Sequence, residues 1–482
     1  MNLDAKRGYS EPLQYIAGQW RAGRGGVVGQ IHNPATGEGL SDIRGANEDD
    51  LNDALAAADD AFGTWRRKSA IERGGILTRA ATLLRERATD IARVMTLEQG
   101  KPLAESTLEV MLCAETLEWY AAEGLRAYGR VIPPRSGVAR QMVLPQPIGP
   151  VAAFAPWNFP ALLPMRKIAP ALAAGCTMVL KPAEETPASA LALVAALRDA
   201  GLPDGVLNVV FGQPAEISEH LIRSDVIRKI TFTGSTAVGK TLAGLAAQHV
   251  KPCTLELGGH APVFVFDDVD IERTVAVCVQ GKLRNAGQVC TSPTRFFVQT
   301  GIYDRFVTQL TAAMAQTKVG DGLSAESQMG PLASARRLHA LEATVADAVA
   351  AGGVVRTGGA RLDGAGYFFA PTLIEGTPVH ARPMQVEPFG PIAFVNPFET
   401  VDDALREGNR LPYGLAAYVF TSSWSTAAVM SEALEAGGIG INAFSVSHIE
   451  APFGGVKESG YGQEGGLEGL QAFLHQKYVH HV

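Results

Sequence analysis

The sequence predicts an α/β protein built from two domains on parallel sheets. Its 482 residues exceed what one hydrophobic core organises, so two or three domains are expected. From about Val151, short apolar runs end in Gly or Pro and alternate with helical segments, the pattern of βαβ units on a sheet covered on both faces. The alternation resumes after Glu256, which sets a domain boundary near Glu256 to Gly259.

The elements follow in order. From Asp49 to Tyr120 apolar residues recur at helical spacing, as in Leu51, Leu55, Ala58 and Phe62, and amphipathic helices are expected. VAAFAP, CTMVLKP, VLNVVFG and IRKITFTG then read as strands, with a helix from Ala188 to Ala200 among them. Beyond the boundary come a strand in APVFVFDD, a helix from Asp270 to Leu283, a strand in RFFVQT and a helix from Tyr303 to Thr317. The glycine-rich stretch from Gly454 to Gly469 reads as loop, and Ala472 to Val482 as a closing strand. No internal repeat or low-complexity linker interrupts this plan.

Composition narrows the function. Hydrophobic residues at 46% and charged residues at 19% describe an ordinary globular protein. A formal charge of −7 and a pI near 5.9 argue against a nucleic-acid partner, which leaves a basic footprint. The five cysteines, at 113, 176, 253, 278 and 290, form no CxxC pair, which suits a reducing compartment. The N-terminal stretch has no apolar core of the signal-peptide type, and Pro156, Asn158, Pro160 and Pro164 break the one long apolar run. A cytoplasmic protein with no membrane partner is expected, and no metal in its site.

Cys290 carries the chemistry. It stands in Gly287-Gln288-Val289-Cys290-Thr291-Ser292, downstream of Glu256-Leu257-Gly258-Gly259 and upstream of Glu387-Pro388-Phe389-Gly390-Pro391. A thiol among small residues is approachable, and a glutamate beside glycines can swing toward water, which suggests covalent thiol catalysis followed by base-assisted hydrolysis. A lone cysteine is usually a small buried hydrophobe, and a glutamate usually a surface charge. A competing motif is Gly234 to Thr241, which satisfies the phosphate-loop pattern GxxxxGK(S/T) between a strand and a helix. It reads either as an NTP-binding loop or as a helix N-terminus facing a dinucleotide pyrophosphate. Gly438 to Ala443 fits GxGxxA, but no helical pattern follows it.

The whole set decides. PWNFP at 156–160, KPAEETP at 181–187, FTGSTAVGK at 232–240, LELGG at 255–259, GQVCTSP at 287–293, EPFGP at 387–391 and PFGGVKESGYGQEGG at 452–466 stand in the order found in aldehyde dehydrogenases. Over nearly its full length the chain resembles that superfamily, and within it the NAD(P)-dependent succinate-semialdehyde and α-ketoglutarate-semialdehyde dehydrogenases. The resemblance implies the aldehyde dehydrogenase fold: a Rossmann-like NAD-binding domain over residues 1–126 and 147–256, a catalytic domain over 257–452, and a β oligomerisation element over 127–146 and 470–482. It implies a homodimer or homotetramer acting on a small aldehyde.

The resemblance makes Cys290 the nucleophile, forming a thiohemiacetal and then a thioester. Asn158 and the backbone N–H of Cys290 would hold the oxyanion, and Glu256 would activate water. Glu256 is absent from coenzyme-A-acylating relatives, so a free carboxylate is the expected product. For the cofactor, the resemblance places Lys181 and Glu184 on the adenosine ribose, Gly234, Ser235 and Trp157 near the pyrophosphate, Glu387 on the nicotinamide ribose and Phe389 beside the nicotinamide. A carboxylate at 184 repels a 2′-phosphate, which favours NAD, with NADP as the alternative. Arg166, Arg284 and Ser447 stand where semialdehyde dehydrogenases hold a distal carboxylate; structural salt bridges are the plainer role for the arginines. Leu163 replaces a glutamine found in some α-ketoglutarate-semialdehyde enzymes, which favours succinate semialdehyde or a related ω-carboxylated or aromatic aldehyde. Uncharged aldehydes are the alternative. Ser292 replaces a second cysteine found in some relatives, so no disulfide switch at Cys290 is expected.

Overall fold

The computed structural model describes residues 9–137 and 139–482; residues 1–8, part of the stretch read as lacking a signal peptide, and residue 138, within the expected β element, lie outside the described residues. The chain opens with the hairpin β1 (Gln14–Ile16) and β2 (Gln19–Arg21), then the pair β3 (Val27–His32) and β4 (Gly39–Arg44). Helices α1 (Glu48–Trp65), α2 (Ala70–Glu86), α3 (Ala88–Gln99) and α4 (Leu103–Glu123) follow. Capping boxes start α1 (Asn47 with Asp50) and α2 (Ser69 with Glu72), each satisfying two otherwise orphaned N–H groups. Leu51, Leu55 and Ala58 face the core as their spacing requires, while Phe62 is only half-buried.

After β5 (Arg130–Ile132) and β6 (Arg140–Pro147), the chain alternates β7 (Val151–Phe154), α5 (Leu162–Ala174), β8 (Met178–Lys181), α6 (Pro187–Asp199), β9 (Leu207–Val209), α7 (Pro214–Arg223), β10 (Lys229–Thr233), α8 (Thr236–Gln248) and β11 (Cys253–Glu256). Strands β7 to β11 pair in parallel, in the order β9-β8-β7-β10-β11. Being covered by helices on both faces, β7, β8 and β10 are buried at every position rather than alternately. Thr186 makes no side-chain cap, and the buried Glu98 of α3 instead accepts from the N–H groups of Ala188 (3.0 Å) and Ser189 (2.8 Å).

The second sheet begins at Ala261, just beyond β11. Its elements are β12 (Ala261–Val265), α9 (Ile271–Leu283), β13 (Pro293–Gln299), α10 (Tyr303–Ala315), α11 (Ala335–Ala350), β14 (Val354–Thr357), β15 (Thr372–Glu375), β16 (Ile392–Phe398), α12 (Val401–Asn409), β17 (Tyr413–Gly414), β18 (Ala416–Phe420), α13 (Trp424–Ala433) and β19 (Gly438–Ile441). The order is β14-β15-β16-β13-β12-β18-β19, with only the β14 edge antiparallel. Gly438 to Ile441 is this sheet's edge strand, not a nucleotide loop.

The Gly454 to Gly469 stretch departs from the expected loop. It contains β20 (Val456–Lys457) paired with β17, β21 (Gly460–Tyr461) added to β11 of the first sheet, and the start of α14 (Gly466–Gln471). Gly460 sits at φ 124° against the Leu255 carbonyl, an approach no Cβ allows. The closing strand β22 (Leu474–His481) pairs along its full length with β6, and β5 completes a three-stranded sheet.

Candidate active site

Cys290 lies where α9 gives way to β13. The intervening 3-10 turn, Arg284–Gly287, carries Asn285 at φ 48°, Ala286 at 52° and Gly287 at 69°. Left-handed geometry in two non-glycine residues is strained and persists only where the surroundings enforce it. Here Gln288 Nε2 donates to the Asn285 carbonyl (3.1 Å), Ala333 N–H to Gln288 Oε1 (3.0 Å), Tyr418 Oη to the Thr291 carbonyl (2.6 Å) and Lys282 Nζ to Ser292 Oγ (3.0 Å). A Cβ on Gly287 would collide with the Gly390 carbonyl, so the cysteine loop packs directly on the EPFGP loop. Burial, with Glu387 and Glu256 nearby, pushes the half-buried Cys290 thiol up to about 12, and Arg166 opposes them.

Asn158 and Glu256 converge on this turn from the first sheet. Asn158 follows β7 and is buried; its Nδ2 donates to the Gln288 carbonyl (3.0 Å), which leaves the second amide hydrogen for another acceptor. Glu256 ends β11. It is buried, and neither carboxylate oxygen has a hydrogen-bond partner in the protein. Burial, then the neighbouring Glu464, raises its pKa well above the usual carboxylate range, against the pull of Lys167 and Arg166. An untethered carboxyl is free to turn, and in its ionised form the raised pKa makes it a stronger base than an ordinary carboxylate.

The Lys167–Glu464 pair beside Glu256 did not emerge from the sequence reading. Lys167 Nζ is bonded to Glu464 Oε1 and to Thr233 Oγ1 (2.6 Å), both partners buried. The available signal was two adjacent basic residues, Arg166 and Lys167, inside the otherwise apolar α5. Lys282 and Tyr418 were missed as well; burial brings Lys282 down to about 7, with Glu387 opposing.

Of the expected cofactor residues, Glu387 and Phe389 come from the loop before β16 of the second sheet, while Trp157, Lys181, Glu184, Gly234 and Ser235 lie at or just beyond the carboxyl ends of β7, β8 and β10 in the first. Strand β7 lies between β8 and β10 there, a point where strand order reverses and α/β sheets open a crevice. Lys181 ends β8 and is paired with Glu184, whose other oxygen accepts the Gly212 N–H at 3.1 Å. Gly234 N–H donates to the Glu256 carbonyl (3.0 Å), and the exposed Ser235 caps the start of α8. Trp157 and Phe389 meet edge to face at 5.6 Å, and Phe389 is held at φ 48°. Arg337 Nη2 fixes that loop through the Pro388 (2.5 Å) and Phe389 (3.0 Å) carbonyls. Burial holds Glu387 up to about 8 against Arg337, the Gly259 N–H and Lys282. Any Cβ on Gly258 would lie 2.8 Å from its Oε2. A pinned carboxylate, a helix N-terminus, a glycine floor and an aromatic pair fit a nicotinamide dinucleotide. In the phosphate-loop motif, Lys240 is instead ion-paired with Glu458 (2.8 Å), and the Thr241 hydroxyl bonds its own helix at Ala237.

The two arginines separate. Arg166 is 5% exposed, donates through Nη2 to the Ser447 carbonyl (3.0 Å) and Oγ (2.6 Å), and lies 5.1 Å over the Phe453 ring. Its Nε has no partner. Arg284 is exposed, lies 5.1 Å over the Phe159 ring, and makes no bond to Ser447. Neither forms a salt bridge among the described residues.

Residues 20–479 match the aldehyde dehydrogenase family. The chain is 51% identical to the 4-(hydroxymethyl)benzenesulfonate dehydrogenase TsaD1 of Comamonas testosteroni, over 98% of this chain and 99% of that one. It is 42% identical to the NADP(+) succinate-semialdehyde dehydrogenase GabD of Escherichia coli, over 96% of each. The crystal structure of succinate-semialdehyde dehydrogenase from Burkholderia pseudomallei superposes with a TM-score of 0.96 at 40% identity, covering 100% of this chain and 99% of that one.

Proposed function

Because the chain belongs to the aldehyde dehydrogenase family, whose members use NAD(P), we propose that it oxidises an aldehyde bearing a distal anionic group to the carboxylate. The observation that carries the substrate class is Arg166: a buried guanidinium with no carboxylate partner, close enough to bias both Cys290 and Glu256. A buried cation without a counter-ion is costly and suits an anion supplied by the ligand. Arg284, at the exposed side of Phe159, completes the fork, and the Ser447 hydroxyl orients Arg166.

The Cys290 thiol gives up its proton to solvent, its sulfur attacks the aldehyde carbon, and the carbonyl electrons move to oxygen. The free N–H of Asn158 and the backbone N–H of Cys290 meet that oxyanion, each such donor lowering the barrier by about 3 kcal/mol. Collapse of the oxyanion breaks the former aldehyde C–H bond and leaves Cys290 as a thioester, and a nicotinamide cofactor, when bound, would accept the hydride released. Glu256 turns to take a proton from water, and that water opens the Cys290 thioester. Lys167 and Glu464 adjoin Glu256 and offer the proton its exit.

NAD is the favoured cofactor. Glu184, tied to Lys181 and Gly212, cannot easily swing aside for a 2′-phosphate. Val131 (71% exposed), Leu144 (40%) and Tyr478 (56%) on the β5-β6-β22 sheet support a homodimer or homotetramer, and we place the protein in the cytoplasm. No helix among the described residues is long and apolar enough to cross a membrane.

A succinate-semialdehyde type of substrate is the first reading. The 51% identity to a 4-(hydroxymethyl)benzenesulfonate dehydrogenase favours, as a second, an aromatic aldehyde with a sulfonate or carboxylate. NADH formation with succinate semialdehyde, glutarate semialdehyde, 4-formylbenzenesulfonate, benzaldehyde and propanal tests both. Preference for the anionic compounds supports the proposal, and equal turnover of the neutral ones overturns it.

A further inference from the structure

A second polar network reaches the site from the corner between α3 and α4, outside the residues assigned so far. Gly100, at φ 95°, ends α3, and Pro102 precedes α4. Between them Lys101, about as buried as a residue can be, sends its ammonium to three acceptors: Glu109 Oε2 (2.5 Å), the Asn158 carbonyl (2.8 Å) and the face of the Phe159 ring (4.1 Å). All three ammonium hydrogens are thereby used. Glu109 in turn accepts the N–H groups of Ala161 (2.9 Å) and Leu162 (3.0 Å), supplying from α4 the cap that Ala161 cannot give α5.

The same corner grips the cysteine turn. Gln99 Nε2 donates to Asn285 Oδ1 (2.8 Å), its Oε1 accepts the Lys101 N–H (3.0 Å), and Glu105 accepts the Asn285 N–H (2.9 Å). Asn285 Nδ2 then donates to the Asn158 carbonyl (2.8 Å), beside Lys101. Asn158 and the strained turn before Cys290 therefore share one buried buttress. The corner is itself seated in the second domain, where Leu103 N–H donates to the Gly322 carbonyl (2.9 Å) and Gly330 admits the Gly100 carbonyl at a distance no Cβ would permit.

We propose that Lys101, with Glu109, is a positioning residue of the oxyanion site: it fixes the Asn158 peptide, and so aims the Asn158 amide at the developing charge. This rests on the reading of Asn158 as an oxyanion donor. The Lys101 ammonium is spent on Glu109, the Asn158 carbonyl and the Phe159 ring, so its effect is exerted through Asn158.

The test compares two reactions of Cys290 in the full-length enzyme without cofactor. Acylation by 4-nitrophenyl acetate passes through a tetrahedral oxyanion, whereas alkylation by iodoacetamide does not. Lys101→Met is expected to slow acylation about 10- to 100-fold, within the range of losing one such donor. Alkylation should stay within about threefold, the spread expected when no oxyanion contact is involved. In an Asn158→Ala background, Lys101→Met should lose its effect, because the donor it aims is gone. Should Lys101→Met not fold, Glu109→Gln, which retains an oxygen for the α5 cap but loses the charged bond to Lys101, is measured in the same cycle. An Asn158→Ala enzyme with full acylation would overturn the oxyanion reading and the proposal with it. A normal Asn158→Ala deficit with an additive Lys101 loss, a parallel fall in alkylation, or no Lys101 loss would overturn the proposal alone.

Discussion

Replacing Arg166 with methionine separates anchoring of the substrate from activation of the thiol. Methionine retains much of the stem that lies over Phe453 but removes the donors to Ser447 and the charge. Because Arg166 is 5% exposed, the pair it forms with a substrate anion is desolvated rather than screened. Losing one partner of such a pair costs about 2–5 kcal/mol, which is about 30- to 5,000-fold in kcat/KM. The guanidinium also lowers the pKa of both Cys290 and Glu256, so its loss slows every aldehyde to some degree. The informative quantity is therefore the ratio of kcat/KM for 4-formylbenzoate to that for benzaldehyde, measured by NADH absorbance across pH. The ratio should collapse by at least about 30-fold, the lower bound of the pair's worth. A ratio that stays within about threefold would make the bond from Arg166 to Ser447 a structural tie and refute the anchoring argument.

Other outcomes follow from the same geometry. The Cys290 thiol lies near 12, above its ordinary value, so the thiolate is scarce at every pH below that. Iodoacetamide alkylation of the free enzyme should climb about tenfold per pH unit between roughly pH 7 and 11, with only about 3 thiols in 10,000 ionised at pH 8.5, where an ordinary cysteine is half ionised. A plateau near pH 8.5 would contradict the assignment of burial and carboxylate neighbours. Glu184→Ser should release Lys181 toward a 2′-phosphate and raise the ratio of NADP to NAD kcat/KM by about tenfold or more. An unchanged ratio would remove Glu184 from cofactor selection.

Much of this was legible in the sequence because it is local. The alternation of strands and helices from Val151 onward is a short-range pattern that the secondary structure reproduces directly, and the motif around Cys290 is contiguous in the chain. The supports of those residues were not legible, because they join distant parts of the chain. Lys167 meets Glu464 across 297 residues, and Gln99 reaches Asn285 across 186. Nothing in the sequence singles out Lys101; only its burial and its bond to Glu109 do. Gly454 to Gly469 read as loop because its strands are two residues long and gain their pairing from β11 and β17 rather than from their own composition. Ser447 was grouped with both arginines, and only geometry assigns it to Arg166.

The most direct test of the central claim, a Cys290 thioester opened by Glu256, is a single-turnover experiment on Glu256→Gln. With NAD and an anionic aldehyde, the variant should release about one NADH per subunit in a burst, then slow by roughly 10²–10⁴-fold, the usual worth of a positioned base. Quenched protein should carry the acyl group on the peptide containing Cys290. Absence of both burst and adduct, or an adduct on any other residue, would contradict the account.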